Sequence, residues 1–169
     1  MKFSLSEIQN WKEFEDLLTD YFRAIKEAKE NNLMEVFVEP SGEGTDGGRD
    51  ILLTFRINDS IVPFTRRWVV QCKFYKESVS KRHIATVNIP SLIHEYNADG
   101  YLLVCKNGVT SSVSNMFENF RRTCKLDYSY MIWEGNDLIN KLKVMPDLIE
   151  KFFPEYSSYL EEKANRIKV

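Results

Sequence analysis

The stretch from Glu39 to Asp50 constrains this chain more than any other, because it places Pro40 and four glycines (Gly42, Gly44, Gly47 and Gly48) within twelve residues. Such a segment cannot extend a helix or a central strand, and ordering it costs more backbone entropy than an ordinary loop. The residues beyond it favour strands. Asp50-Ile51-Leu52-Leu53-Thr54-Phe55 and Arg67-Trp68-Val69-Val70-Gln71-Cys72-Lys73-Phe74-Tyr75 are rich in β-branched and aromatic residues, and the polar turn Asn58-Asp59-Ser60 between them predicts a hairpin. Along the second strand, Val70, Cys72 and Phe74 face one way and Gln71, Lys73 and Tyr75 the other. An amide oxygen and an ammonium therefore share a face beside Asp50. That trio suits a hard, oxygen-seeking cation such as Mg²⁺ together with an anionic substrate; it equally suits a turn capped by Asp50 and a solvated Lys73.

Ser4-Leu5-Ser6-Glu7 has the form of a capping box and predicts a helix starting there. Ile8, Trp11, Phe14, Leu18, Tyr21, Phe22 and Ile25 recur at helical spacing. At about 100° per residue, Glu15 falls inside this apolar arc. A carboxylate turned toward a core needs a partner, either a lysine or arginine or the cation site at Asp50.

Gly44-x-Asp46-Gly47-Gly48-x-Asp50 followed by Gln71-x-Lys73 resembles the catalytic core of the Mrr-like restriction endonucleases, a branch of the PD-(D/E)xK nuclease superfamily. Trp11-Lys12-Glu13-Phe14-Glu15 and Asp99-Gly100-Tyr101-Leu102-Leu103-Val104 fit the same family in order and spacing, so the resemblance runs from Trp11 to Leu142. It implies a restriction-endonuclease-like core, a central mixed β-sheet flanked by helices. It also implies hydrolysis of DNA phosphodiester bonds with Mg²⁺, for which Mn²⁺ can substitute. By this resemblance Asp50 is the central metal ligand, Gln71 adds its side-chain oxygen, and the Cys72 carbonyl and Glu15 complete the shell. Lys73 would orient the attacking water and stabilise developing charge. Gly47 and Gly48 would allow close backbone approach to phosphate, while Asp46 bonds the turn's own amides or lies one layer out from the metal. Gln71 stands where much of the superfamily has a carboxylate, which favours one tightly held metal. A catalytically silent, nuclease-like binding module and a junction resolvase are the rival readings.

Charge distribution agrees with an anionic partner better than the net charge of −2 does. Up to Asp50 the chain carries twelve acids and six Lys or Arg; from Arg66 to His83 it carries Arg66, Arg67, Lys73, Lys76, Lys81 and Arg82 against Glu77 alone. Duplex DNA is the expected partner, with Arg66, Arg67, Lys76, Lys81 and Arg82 as candidate phosphate contacts, or else a solvated basic hairpin. His83 could touch phosphate as well. Cys72, Cys105 and Cys124 form neither a CxxC nor a Cys/His cluster, so reduced thiols are expected. No signal pattern or membrane-length apolar run is present, which predicts a cytoplasmic protein without membrane contact.

The remaining elements predict an α/β (α+β) fold. They are a strand over Met34–Val38, helical structure from Ser78 to Tyr96 broken at Pro90, an apolar strand from Asp99 to Cys105, and a helix starting at Thr110 or Ser111. A strand over Tyr128–Trp133, a helix over Asp137–Lys143 and two short helices split at Pro154 complete the chain. Residues 1–144 read as the nuclease domain and 145–169 as a helical extension. That extension packs on the domain, makes a dimer or higher contact, or leads to recognition and regulatory domains of a longer protein.

Overall fold

Alternating side chains become the pleat of a five-stranded sheet. The computed structural model describes residues 1–27, 32–41 and 47–167. Its strands lie side by side in chain order: β1 (Leu33–Pro40), β2 (Ile51–Asn58), β3 (Pro63–Lys73), β4 (Gly100–Cys105) and β5 (Ser129–Trp133). β1, β2 and β3 are antiparallel, whereas β3, β4 and β5 run parallel. The sheet is mixed, and β3 is the strand at which its direction changes.

Among the described residues six helices cover it: α1 (Trp11–Ala24), α2 (Ile89–Glu95), α3 (Ser111–Thr123), α4 (Gly135–Leu142), α5 (Pro146–Phe152) and α6 (Pro154–Ile167). On one face Val70, Leu102 and Val104 pack with Phe14, Leu18 and Phe22 of α1 and with residues of α4 and α5. On the other, Val69, Tyr101 and Leu103 pack with Ile93 of α2 and Val113 and Phe117 of α3. β4 is buried along its whole length, as a near-continuous apolar run between two helical layers must be. Each large side chain so buried contributes roughly 1.5–3 kcal/mol before entropy is counted.

The turn between β2 and β3 falls where the polar triplet places it. Asn58 Oδ1 accepts from the Ser60 amide, Asp59 Oδ1 accepts from the Ile61 and Val62 amides, and Ser60 takes φ of 75°. These amide bonds hold the Asp59 carboxyl below its ordinary value.

Two helix boundaries differ from the sequence expectation. Ser4 caps only a short 3₁₀ turn over Leu5–Glu7, and the long helix starts at Trp11. Asn10 Oδ1 accepts the Glu13 amide at 2.9 Å while Glu13 returns a carboxylate oxygen to the Gln9 amide at 2.7 Å, a stronger box than Ser4 supplies. Trp11, at the first helical position, is consequently 61% exposed instead of facing the core. Between Ser78 and Tyr96 there is no long helix broken at Pro90, but a 3₁₀ turn over Lys81–Ile84 and then α2. Asn88 caps α2, and Pro90 sits in its first turn, where its missing N–H costs nothing.

The C-terminal segment joins the core on the α1 face through Leu148, Ile149, Phe152 and Phe153. Phe3 stacks on Tyr156 and meets Phe153 edge-on. Glu7, expected to cap its own helix, accepts instead the amides of Glu155 and Tyr156 at the start of α6. Among the described residues no helix is long and apolar enough to cross a membrane.

Candidate active site

The glycine segment departs from the sheet between β1 and β2, and its neck is closed by the Ser41 amide donating to the Asp50 carbonyl at 2.7 Å. Residues 42–46, including Asp46, lie outside the described residues. Gly47 and Gly48 take φ of +61° and +103°, a region that side chains rarely adopt. At Gly48 a Cβ would also meet Val87 at 2.7 Å and the Gln71 amide nitrogen at 3.0 Å. Only glycine lets this turn lie against Gln71.

Asp50 is held from three directions. Its carbonyl accepts from Ser41, its amide donates to the Val70 carbonyl at 2.9 Å, and its Oδ2 accepts the Cys72 amide at 2.5 Å. The two halves of the sequence motif, more than twenty residues apart, thus meet through the backbone of Gln71-Cys72-Lys73. Gln71 is 3% exposed, and its Oε1 accepts the Tyr101 hydroxyl at 2.5 Å. Tyr101 is itself wholly buried, and burial pushes its hydroxyl well above its ordinary pKa, so it remains a donor. Lys73 ends β3 in parallel register with Cys105, and among the described residues its ammonium makes no hydrogen bond or ion pair.

Glu15 comes from α1. Burial, and after it the charge of Asp50, raise its carboxyl to about 7, against a smaller opposing effect of Lys12. Of its two sequence readings, no lysine or arginine ion pair forms among the described residues, and the carboxylates it senses are Asp50 and, more weakly, Asp16. A pair of carboxylates in which one destabilises the ionised form of the other is the electrostatics of a cation site. The donors at hand, two carboxylates, an amide oxygen and the Cys72 carbonyl, are all oxygen and fit a hard divalent ion. No three His, Cys, Asp or Glu side chains cluster as a metal group among the described residues, so the set is lean in charge.

The candidate phosphate contacts do not form one surface. Arg66 donates to the Ser129 hydroxyl at 2.7 Å and lies over the Trp68 ring. Arg67 donates to Thr54 Oγ1 and to the Tyr96 carbonyl. Both pair across the sheet with β2 at Phe55 and Thr54, four and three residues before Val70, or roughly 10–13 Å from the motif at ~3.3 Å per strand residue. Lys76, just past β3, is exposed, as are Lys81 and Arg82 in the 3₁₀ turn beyond it. Arg82 is 3.8 Å from Glu77 and donates to His83, whose ring stacks on Tyr75.

Two residues were not foreseen as part of this region. Tyr101 carried a usable signal, a tyrosine in an otherwise aliphatic buried strand whose hydroxyl must find a partner. Lys106 carried none, since it reads as the start of the Asn107-Gly108 turn. Its ammonium donates to the Ile8 carbonyl at 2.9 Å and lies over Phe74, and burial, then Lys76, lowers its pKa. Together with Lys76 and Asn107 it lines a cleft of about 620 Å³ at the carboxyl ends of β3 and β4.

Residues 6–141 match the Mrr_cat family, described as restriction endonuclease. Among solved structures the chain is similar to the MspJI restriction endonuclease in complex with a 27-mer oligonucleotide, with 16% identity, a TM-score of 0.57, and coverage of 79% of this chain and 28% of that one. It is also similar to the DNA modification-dependent restriction endonuclease AspBHI, with 14% identity, a TM-score of 0.49, and coverage of 94% of this chain and 43% of that one. The first likeness bears on fold alone. The chain spans less than half the length of either. No curated protein sequence matches it.

Proposed function

The chain belongs to the Mrr_cat restriction endonuclease family, and from that premise we propose that it is a metal-dependent endonuclease that hydrolyses phosphodiester bonds in duplex DNA, as part of restriction or anti-phage defence. The observation that carries the reading is the junction of Asp50 with the Cys72 amide, which joins the two motif halves beside a Gln71 already fixed by Tyr101. Asp50, Gln71 Oε1, the Cys72 carbonyl and Glu15 would hold Mg²⁺, or Mn²⁺ in its place. Bound there, the ion supplies an acidified water and neutralises charge on the phosphate.

The chain's own groups do the rest. An amide oxygen has two lone pairs, so Gln71 can accept from Tyr101 and still offer an electron pair. Lys73 extends from the same strand face, two residues on, and places a cation where negative charge builds up on the phosphate's non-bridging oxygens. It also donates a hydrogen bond that aims the attacking water. A water oxygen–phosphorus bond forms as that water gives up a proton to solvent, the phosphorus–ester oxygen bond breaks, and the leaving oxygen takes a proton from solvent. Gly47 and Gly48 keep the flank of the site free of side chains. Lys76, Lys81 and Arg82 track the DNA backbone, while Arg66 and Arg67 stand apart from that path. Residues 1–144 act as the nuclease domain and 145–169 as an extension packed upon it, within a longer protein whose other domains recognise the target or regulate cleavage.

Plasmid cleavage with Mg²⁺, Mn²⁺ or EDTA tests this directly, with Asp50→Ala and Lys73→Ala in parallel. Metal-dependent nicking or linearisation, reduced by at least ~10²–10³-fold in each variant, is expected. A folded wild type that shifts DNA in a gel but never cuts it would replace the endonuclease with a binding module. Light scattering distinguishes a monomer from the dimer that a junction resolvase requires.

A further inference from the structure

A cavity of about 470 Å³ lies on the face of the sheet opposite Gln71 and Lys73, between the end of α1 and α4. Its volume is in the range of small-molecule sites, roughly 300–1,000 Å³. Tyr21, Phe22, Trp68 and Trp133 form much of its wall, with Phe22 stacked on Trp133 at 5.8 Å and Tyr21 edge-on to the same ring. Two cations complete it. Lys141 Nζ lies 4.4 Å over the Trp133 ring, and the Arg66 guanidinium 5.4 Å over Trp68.

This is not how a core is normally closed. A lysine and an arginine at an apolar cavity would ordinarily meet carboxylates, but no Asp or Glu lines this one, and neither Arg66 nor Lys141 forms an ion pair among the described residues. Among the described residues the Arg66 guanidinium has only the neutral Ser129 hydroxyl as hydrogen-bond partner. Aromatic faces hold both cations in place, and the cavity therefore combines flat apolar walls with positive charge that has no counter-ion among the described residues.

We propose that this cavity binds a nucleoside monophosphate, its base against the aromatic wall and its phosphate between Arg66 and Lys141. Aromatic faces accept any base by stacking. A guanidinium and an ammonium together match a phosphate dianion better than the single charge of an aryl carboxylate. The site is separate from Gln71 and Lys73, which face the other side of the sheet, and none of the residues that line it is a metal donor; it stands whether or not the chain cleaves DNA.

Titration of the full chain in EDTA with AMP, GMP, CMP and UMP, by calorimetry and by quenching of tryptophan emission, tests the assignment. Saturable binding of at least one nucleotide is expected, with the matching uncharged nucleoside about tenfold or more weaker. Lys141→Gln, a partly exposed position, should weaken binding about tenfold without moving the thermal midpoint, and Arg66→Gln should do the same to affinity. Absence of binding by all four at millimolar concentration overturns the proposal. So does equal affinity for nucleotide and nucleoside, or an affinity unchanged by Lys141→Gln.

Discussion

Near the middle of β3, Arg66 and Arg67 direct their guanidinium groups at Ser129, Thr54 and the Tyr96 carbonyl, whereas at its end the ammonium of Lys73 meets no hydrogen-bond or ion-pair partner among the described residues. The same strand thus carries cations of two kinds within eight residues. A run of positive charge in a sequence is a sum over roles that only register and packing separate. Those inside the span of the sheet are held by neighbouring hydroxyl and carbonyl groups; the one at its open end is available for the chemistry at Asp50.

Paired substitutions in these two places sharpen the contrast. Lys73→Met should reduce cleavage by about 10³-fold while leaving the thermal midpoint nearly unchanged; Arg67→Met should do the reverse. The loss at Arg67 leaves the buried Thr54 hydroxyl and the Tyr96 carbonyl short of a donor, a cost of about 1–3 kcal/mol in urea denaturation. Equal effects on cleavage from both variants would erase the distinction between the two places.

Tyr101→Phe probes the catalytic end from behind. Without the hydroxyl, Gln71 Oε1 loses its positioning partner, and turnover should fall about tenfold as a loss of one charge-free hydrogen bond, about 1.4 kcal/mol. Thermal melting should shift by only a few degrees, and a Tyr101→Phe enzyme with wild-type kcat would exclude Gln71 from the site.

The smallest effect concerns Glu15, whose folded-state pKa of about 7 lies above the ordinary carboxyl value of 4.5. Below pH ~4.5 the carboxyl is protonated in both states; as pH rises toward 7 the unfolded chain ionises it first, and stability falls through that window. Glu15→Gln should therefore raise the thermal midpoint by a degree or more at pH 8 and leave it unaltered near pH 4. Mg²⁺ should stabilise the wild type more at pH 8 than at pH 5.5, and the variant less. Melting curves at these pH values check both statements.

Local signals carried much of the fold. The hairpin is written in Asn58-Asp59-Ser60, β4 in an unbroken apolar run, and the inward tilt of Glu15 in helical phase. The same holds for Gly47 and Gly48, whose positive φ values accord with their position before Asp50. What the sequence could not show depends on distant partners. Asn10, not Ser4, caps the long helix, and Leu5 and Ile8 between them are buried in a core shared with α5. Tyr101 reaches Gln71 through a parallel register that no turn specifies, and Arg67 finds Thr54 across a strand pair and Tyr96 beyond α2. Role, more than secondary structure, is what tertiary contact assigns.

Glu7 and α6 fix the order in which this molecule can finish assembling. The carboxylate that caps the last helix is separated from its two amides by 148 and 149 residues. At a synthesis rate of ~5–20 residues per second, Glu7 emerges roughly 7–30 s before its partners. For that interval α1 has no α5 to cover it, and the first turn of the chain has nothing to hold. The nascent polypeptide therefore passes through a period in which the α1 face of its core is open, and the seal is made by the last of these helices to leave the ribosome.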